Sequence, residues 1–291
     1  MKKSSIFLLF FNFLLFFNIA HTVNKVCIII PAYNEETRIE RTLVEYAQYF
    51  NSKPEKTTFL VVANNCKDNT VGVIQKVQKE HKNIKYLDLI PGGKGFAIKE
   101  GFLWAIQEGS FDLIGLVDAD MATEPQYFYD LILTTNKNFD GAIASRYAPG
   151  ANVSPSRPFL RKLGGKFYNW LLRTRLGIKF KDTQCGAKIF SKDTIEKVVP
   201  HMQEKGWAFD LELLYLCKLF NKKIAEVATT WSDQPGTHLV INSKIMQEFL
   251  NSPVRIKERH EKLKKDILLA RKKSKNKNYK FQKKTKKNPL V

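Results

Sequence analysis

Short apolar runs alternate with amphipathic stretches along this chain, and each apolar run stops abruptly at polar residues. Residues 26–30, 59–62, 84–89 and 113–117 have strand length, and near-continuous apolar character is typical of strands buried on both faces. Asn34 or Thr37 is expected to cap a helix that runs to about residue 50, and further helices are predicted over 70–81 and 94–107. A further helix is expected to start at Thr123, where Glu124 and Pro125 follow. Pro31 is expected to break the first strand, and residues 142–145 close the regular first half. The second half reads as a helix over 157–178, a polar turn at 182–186 before a short strand, and a helix over 208–220. A strand over 224–230 then ends at Trp231, and a helix beyond about Asn242 runs into a lysine-rich tail. Such alternation predicts an α/β fold with a mostly parallel, doubly wound sheet flanked by helices and right-handed crossovers.

The two ends differ from this pattern. Lys2 and Lys3 precede an apolar run over 6–20, which as a helix spans ~21 Å, short of a ~30 Å hydrocarbon core. The run resembles the apolar part of a signal peptide, without a clean cleavage site, and reads either as a cleaved signal or as an uncleaved anchor. An anchor with the following domain facing the cytoplasm is the preferred expectation, at the endoplasmic reticulum in a eukaryote or the inner membrane in a bacterium. The expected organisation is an anchor or signal-like segment at 1–24, an α/β domain at 25–240, and a basic helical or disordered tail at 241–291.

Charge sharpens that division. The chain carries +20, but residues 255–291 hold 16 Lys and Arg against 3 acids, so a net 13 positive charges belong to the tail and 7 to the rest. The tail lacks a base-reading module or a regular aromatic stacking pattern, which disfavours nucleic acid. It fits an anionic membrane surface, where each cation contributes roughly 1 kcal/mol. The four cysteines show neither CxxC pairing nor zinc-ligand spacing, which favours a reducing compartment.

The candidate chemistry lies where the apolar runs end. Asp118 and Asp120 follow the run at 113–117 with i, i+2 spacing, and two carboxylates there suit a hard divalent cation bridging to a diphosphate. Polar clusters at 31–35, 64–68 and 92–95 also fall at strand ends, which in an open α/β sheet converge on one crevice. Gly92-Gly93-Lys94-Gly95 offers backbone N–H groups and one ammonium to phosphate at a helix N-terminus, but is not a nucleotide-triphosphatase loop. Asp68 is expected to cap the following helix, His238 to be a surface residue, and Trp231 to stack on a sugar or pack at its strand end, while Glu212 either pairs with Asp210 as an acidic couple or is a solvated helix position.

Seven segments carry a family resemblance: IIIPAYNEETRI (28–39), GGKGFAIKEG (92–101), DAD (118–120), SRY (145–147), DTQCGAKIF (182–190), GWAFDLELL (206–214) and WSDQPGTHL (231–239). In this order they resemble the family 2 glycosyltransferases of GT-A fold, and more narrowly the branch that transfers sugars to polyprenyl or dolichyl phosphate. The resemblance implies inverting transfer of a hexose, glucose from UDP-glucose, to a lipid phosphate, with Mg²⁺ or Mn²⁺ as cofactor. It implies that Pro31, Tyr33 and Glu35 line the nucleoside pocket, that Asp118 contacts ribose or metal, and that Asp120 ligates the metal. Lys94 and Arg146 are then cations for the diphosphate, Asp210 is the base or orienting group, and Asp182 the second candidate. Where relatives commonly carry a DDGS-type turn, this chain has Ala63-Asn64-Asn65-Cys66, which leaves Asn64 for base contact and the base open. The basic stretch at 157–178, with Arg157, Arg161, Lys162, Lys166 and Trp170, suits a membrane interface and an acceptor phosphate. Two other readings remain at this level: the same donor with a hydroxyl acceptor, and a non-enzymatic basic binder.

Overall fold

A computed structural model describes residues 24–155, 159–232 and 243–273. Its strands are β1 (Lys25–Ala32), β2 (Lys56–Asn64), β3 (Ile84–Leu89), β4 (Leu113–Leu116), β5 (Gly141–Ser145), β6 (Asn152–Ser154), β7 (Lys188–Ser191), β8 (Ile224–Ala228) and β9 (Thr230–Ser232). The helices are α1 (Ile39–Asn51), α2 (Thr70–Glu80), α3 (Lys94–Glu108), α4 (Pro125–Thr135), α5 (Phe159–Leu176), α6 (Lys192–Val198), α7 (Phe209–Leu219) and α8 (Ser243–Arg259). The main sheet has the order β3-β2-β1-β4-β7-β5-β8. β1, β2, β3 and β4 run parallel, so their carboxyl ends share one rim. β7 is inserted antiparallel between β4 and β5, while β5 and β8 pair in parallel.

Both faces of the sheet are covered, which is why the strands read as continuous apolar runs. Cys27 and Ile29 join Ile98, Phe102, Leu214 and Ile256 in the core on one face. Val26, Ile28 and Ile30 point the other way and pack with Leu43, Tyr46, Phe50 and Phe128. The basic helix α8 contributes the fully buried Ile256, and the chain continues as a helix over 261–273.

Pro31 does not end β1, contrary to expectation. The pairing of β1 with β4 stops at Ile29, whose carbonyl accepts the Val117 N–H. Alternate residues of a strand face alternate neighbours, so Pro31 faces the side where β4 has already left, and its missing N–H breaks no ladder bond. It stays in register with Val62 of β2. α1 starts at Ile39 with Arg38 at the cap position rather than Asn34 or Thr37: Asn34 is left-handed (φ 53°), and the Glu35 carbonyl takes the N–H groups of Arg38 and Ile39. Glu124 precedes α4 with Pro125 at its first turn, one residue beyond Thr123. The stretch at 224–230 divides into β8 and β9, and β9 pairs with β6 as a separate two-stranded ribbon. The expectation omitted β6 and α6, which are only three and seven residues long.

Gly115 marks a tight point of the sheet. A Cβ there would lie 2.6 Å from the Lys188 carbonyl oxygen and 2.9 Å from the Phe128 ring. Gly115→Val should therefore cost about 1–3 kcal/mol through overpacking. Urea unfolding checks this, and an unchanged midpoint would contradict the packing argument.

Candidate active site

The loop after β4 holds Asp118 and Asp120, and α1 fixes it from below. Thr42 donates to the Ala119 carbonyl at 2.6 Å, and the buried Tyr46 hydroxyl donates to the Thr123 carbonyl at 2.7 Å. Met121 is left-handed (φ 61°), and the Ala122 N–H returns to Asp120 Oδ1 at 3.0 Å. The Asp118 carboxylate meets Lys94 Nζ through Oδ1 at 2.5 Å. Its other oxygen lies over Gly186, where an added Cβ would stand only 2.0 Å away.

The two carboxylates are electrostatically unequal. Burial raises the Asp118 carboxyl, but the charge and hydrogen bond of Lys94 outweigh burial and hold it below the usual range. Asp120 is pushed up, by burial first and by the Asp118 charge second. Burial lowers the Lys94 ammonium, but Asp118, Asp210 and Asp120 more than restore it, so it stays protonated.

Asp210 lies at the start of α7, buried, and pairs with Lys188. Lys188 is fully buried and also donates to the Cys185 carbonyl, so it is held at two points. Burial raises the Asp210 carboxyl despite the opposing charges of Lys188 and Lys94. Asp182 instead grips Arg146 in a fork: Nε to Oδ2 at 2.7 Å and Nη2 to Oδ1 at 2.8 Å. The Arg146 N–H adds a bond of 3.0 Å, and the Arg146 guanidinium lies 5.4 Å from the centre of the Trp231 ring. Burial raises the Asp182 carboxyl, but Arg146 and its N–H outweigh that and lower it. A carboxylate engaged on both oxygens is suited to orienting Arg146 rather than to moving a proton.

The loops after β1 and β2 are knitted together. The Asn34 side chain accepts the Lys67 N–H, the Glu36 side chain accepts the Asn69 N–H, and Asp68 accepts the Glu36 N–H. Asn69 rather than Asp68 stands at the cap position of α2, and Asp68, one residue earlier, takes the Thr70 N–H and hydroxyl. Tyr33 is largely exposed, whereas Glu35 is buried beside Arg38, with bonds of 2.7 and 2.8 Å. Asn64 is buried. Its side-chain oxygen accepts the Gly93 N–H at 2.7 Å and its amide donates to the Pro91 carbonyl, so it shapes the turn that carries Lys94.

A second loop braces that turn. The Phe96 N–H donates to the Lys205 carbonyl at 3.1 Å, and Gly95 abuts the Glu204 carbonyl so closely that a Cβ would lie 2.4 Å from it. The Trp207 ring lies 5.3 Å from Lys94 Nζ. Glu212 is not a solvated helix position: it is fully buried and accepts from the N–H groups of Gln203 and Glu204 at 2.7 Å each, with His260 Nε2 at 2.8 Å. Arg255 and Arg259 secure Glu204 from the same side.

The structure thus brings Asp118, Asp120, Lys94, Asp210, Asn64, Arg146 and Asp182 to one rim together with Pro31, Tyr33 and Glu35. On α5, Trp170 is exposed and stacks with the exposed Phe167, ring centres 5.8 Å apart. Arg157, the side chains of Arg161, Lys162 and Lys166, and His238 lie outside the described residues. Sequence reasoning missed Lys188, Gly186 and Trp207. Lys188 had a usable signal, a lysine inside the apolar strand Ala187-Lys188-Ile189-Phe190, because a buried ammonium requires a partner.

Removing one member of the Arg146–Asp182 pair leaves the other charge buried. Asp182→Ala should cost about 3 kcal/mol or more at neutral pH. The folded pKa of Asp182 is lowered, so its stabilisation is present above the unfolded value near 4 and is lost as pH falls through the folded one. Denaturation across pH 2–7 checks this: wild type and variant should converge at the acid end, and a constant gap would contradict it.

The sequence model described as glycosyl transferase family 2 matches residues 27–199. A dolichyl-phosphate beta-glucosyltransferase of Dictyostelium discoideum is 32% identical over 225 residues, covering 73% of this chain and 68% of that protein. One of Drosophila melanogaster is 33% identical over 234 residues, covering 74% and 69%. Among solved structures, glucosyl-3-phosphoglycerate synthase from Mycobacterium tuberculosis, in complex with Mn²⁺, UDP-glucose and phosphoglyceric acid, superposes with a TM-score of 0.56 at 15% identity. That match covers 81% of this chain and 79% of the synthase. The mostly parallel seven-stranded sheet and this likeness give the GT-A fold, and the matches over most of the chain place it in glycosyl transferase family 2.

Proposed function

We propose that this chain transfers glucose from UDP-glucose, with inversion, to dolichyl phosphate at a membrane surface. The names of the Dictyostelium and Drosophila relatives support the sugar and the acceptor. The observation that carries the chemistry is the cluster of Asp118, Asp120 and Lys94 where the parallel strands end.

The donor set fits a divalent cation. Among the described residues no three His, Cys, Asp or Glu side chains converge to enclose a metal on their own. Two carboxylates with the remaining positions left to substrate oxygens and water is how Mg²⁺ is usually held, and Mn²⁺ accepts the same oxygen donors. Asp120 and Asp118 would hold the ion, which supplies Lewis-acid stabilisation of the departing diphosphate. Lys94 adds positive charge to the same oxygens, and Arg146, held in its fork by Asp182, contributes positive charge at Asp118. Pro31, Tyr33 and Glu35 form the nucleoside side, with Asn64 holding the turn. Asp210 orients the acceptor.

For the acceptor, α5 offers the exposed Phe167 and Trp170 among basic residues, a composition that favours the interface. The tail adds attraction to anionic lipid. No helix among the described residues is long and apolar enough to cross a membrane. The proposed location is the cytoplasmic surface, held by residues 1–24.

Transfer assays on the purified full chain test this, with UDP-glucose or GDP-mannose, Mn²⁺, and dolichyl phosphate present or absent. Lipid-linked glucose should form from UDP-glucose only when the lipid is present, and Asp120→Ala should lower the rate about a hundredfold or more. Transfer to a hydroxyl acceptor with none to the lipid would overturn the reading. The Asp120 carboxyl is raised without a metal, and a bound cation favours its charged form, so raising Mn²⁺ should move the acid limb of kcat/KM to lower pH. An acid limb that does not move with Mn²⁺ would contradict the role of Asp120.

A further inference from the structure

We propose that Lys94 is the resident counter-ion of the Asp118–Asp120 pair and passes to the diphosphate when nucleotide binds, so that the pair takes up a divalent cation strongly only together with nucleotide. This rests on the reading of that pair as the metal site.

The argument is geometric. Lys94 Nζ stands 2.5 Å from Asp118 Oδ1, within the shell a metal would need at that oxygen. The Asp118 carboxylate fills the space a side chain at position 186 would take, since a Cβ on Gly186 would stand 2.0 Å from its Oδ2 and 2.9 Å from its Oδ1. A cation that approaches Oδ1 competes with the ammonium already there. Two positive charges cannot share that oxygen without repulsion, which is substantial at the effective dielectric of a partly buried site.

Lys94 is able to move where its neighbour is not. Lys188 has no exposed surface and is tied to both Asp210 and the Cys185 carbonyl, whereas the Lys94 side chain is 22% exposed. The Trp207 ring at 5.3 Å gives the ammonium a second favourable surface as it leaves Asp118. Its backbone provides the destination. Lys94 is the first residue of α3, following Gly93 in a conformation open only to glycine (φ 134°), and a helix N-terminus attracts phosphate. A diphosphate arriving there brings negative charge for Lys94 and oxygens for the metal in the same step. Until then the lysine limits mutual repulsion of the two carboxylates and competes with free cations.

The test is direct binding of Mn²⁺, read from the electron paramagnetic resonance of the free ion, with no dependence on turnover. Wild type, Lys94→Met and Lys94→Gln full chains are compared alone, with UDP, and with inorganic pyrophosphate. In wild type, UDP or pyrophosphate should tighten Mn²⁺ binding. Both variants should bind Mn²⁺ alone about tenfold more tightly than wild type, with a correspondingly smaller gain from UDP or pyrophosphate. Adding Asp118→Asn to Lys94→Met should abolish the gain, which separates it from adventitious sites. Mn²⁺ binding by wild type with UDP, but no tighter binding by either variant alone, would overturn the role of Lys94 and leave the metal pair standing. Absence of Mn²⁺ binding in every protein, with or without UDP, would overturn the metal reading and this inference with it. Thermal melting without Mn²⁺ confirms that the variants are folded; if one is not, the other carries the comparison.

Discussion

Like charge gathered at one rim of the sheet is the constraint around which the rest of the site is arranged. The end of β4 and the start of α7 bring Asp120 and Asp210 each within electrostatic reach of Asp118. Each is answered differently. Asp210 faces a lysine with no exposure, and Asp182 nearby receives a two-pronged guanidinium. Asp118 faces a half-buried lysine, and Asp120 stays raised. Asp182 and Asp210 have fixed cationic partners in the interior, whereas Asp120 at the mouth is raised by burial and by the Asp118 charge. Desolvated charges need fixed partners, whereas an excess of negative charge near solvent can be resolved by a cation that comes and goes.

Precision at the mouth depends on parts of the chain far away in sequence. The turn carrying Lys94 has Asn64 on one side and the loop 202–207 on the other. That loop is itself held by Glu212, which receives two backbone N–H groups at 2.7 Å, and by Glu204, gripped by Arg255 and Arg259. The Lys99 ammonium adds a bond to the Met202 carbonyl at 2.6 Å. Thus α8, at the entry to the basic tail, contacts the backing of the lysine through only one loop. Glu212 keeps its charge because the hydrogen bonds from His260 and the backbone outweigh burial and lower its carboxyl. The tail's anchoring to the fold and the placing of Lys94 are therefore parts of one buried network.

The sheet and its rim were legible in the sequence because they rest on local rules. Apolar runs of strand length gave β1 to β4, and the polar residues that end them gave the Asp118–Asp120 and Gly92–Gly95 loops in the right neighbourhood. What the pattern did not reveal depends on partners distant in sequence. Pro31 looked like a strand breaker because its tolerance depends on where β4 stops pairing. Glu212 looked solvated because its acceptors' partners, Gln203 and His260, come from a loop and from the end of a separate helix. Gly186 was silent because its role is defined only by the carboxylate pressed against it. The antiparallel insertion of β7 was equally invisible, since four residues carry no direction in their composition.

The state of Asp210 bears on which acceptor the site suits. Burial raises its affinity for a proton, as a general base needs, but protonation would leave the fully buried Lys188 ammonium beside a neutral acid. The low local dielectric makes that loss expensive. Asp210 is thus better suited to holding a charge in place than to accepting one proton per turnover. A sugar hydroxyl must lose its proton during attack, and an acceptor of that kind would work against the Lys188 pair at each cycle. A lipid phosphate is already anionic and asks mainly for alignment with the anomeric carbon. The buried ion pair and a phosphate acceptor are therefore mutually consistent: the site supplies rigid orientation where the acceptor supplies its own nucleophilicity.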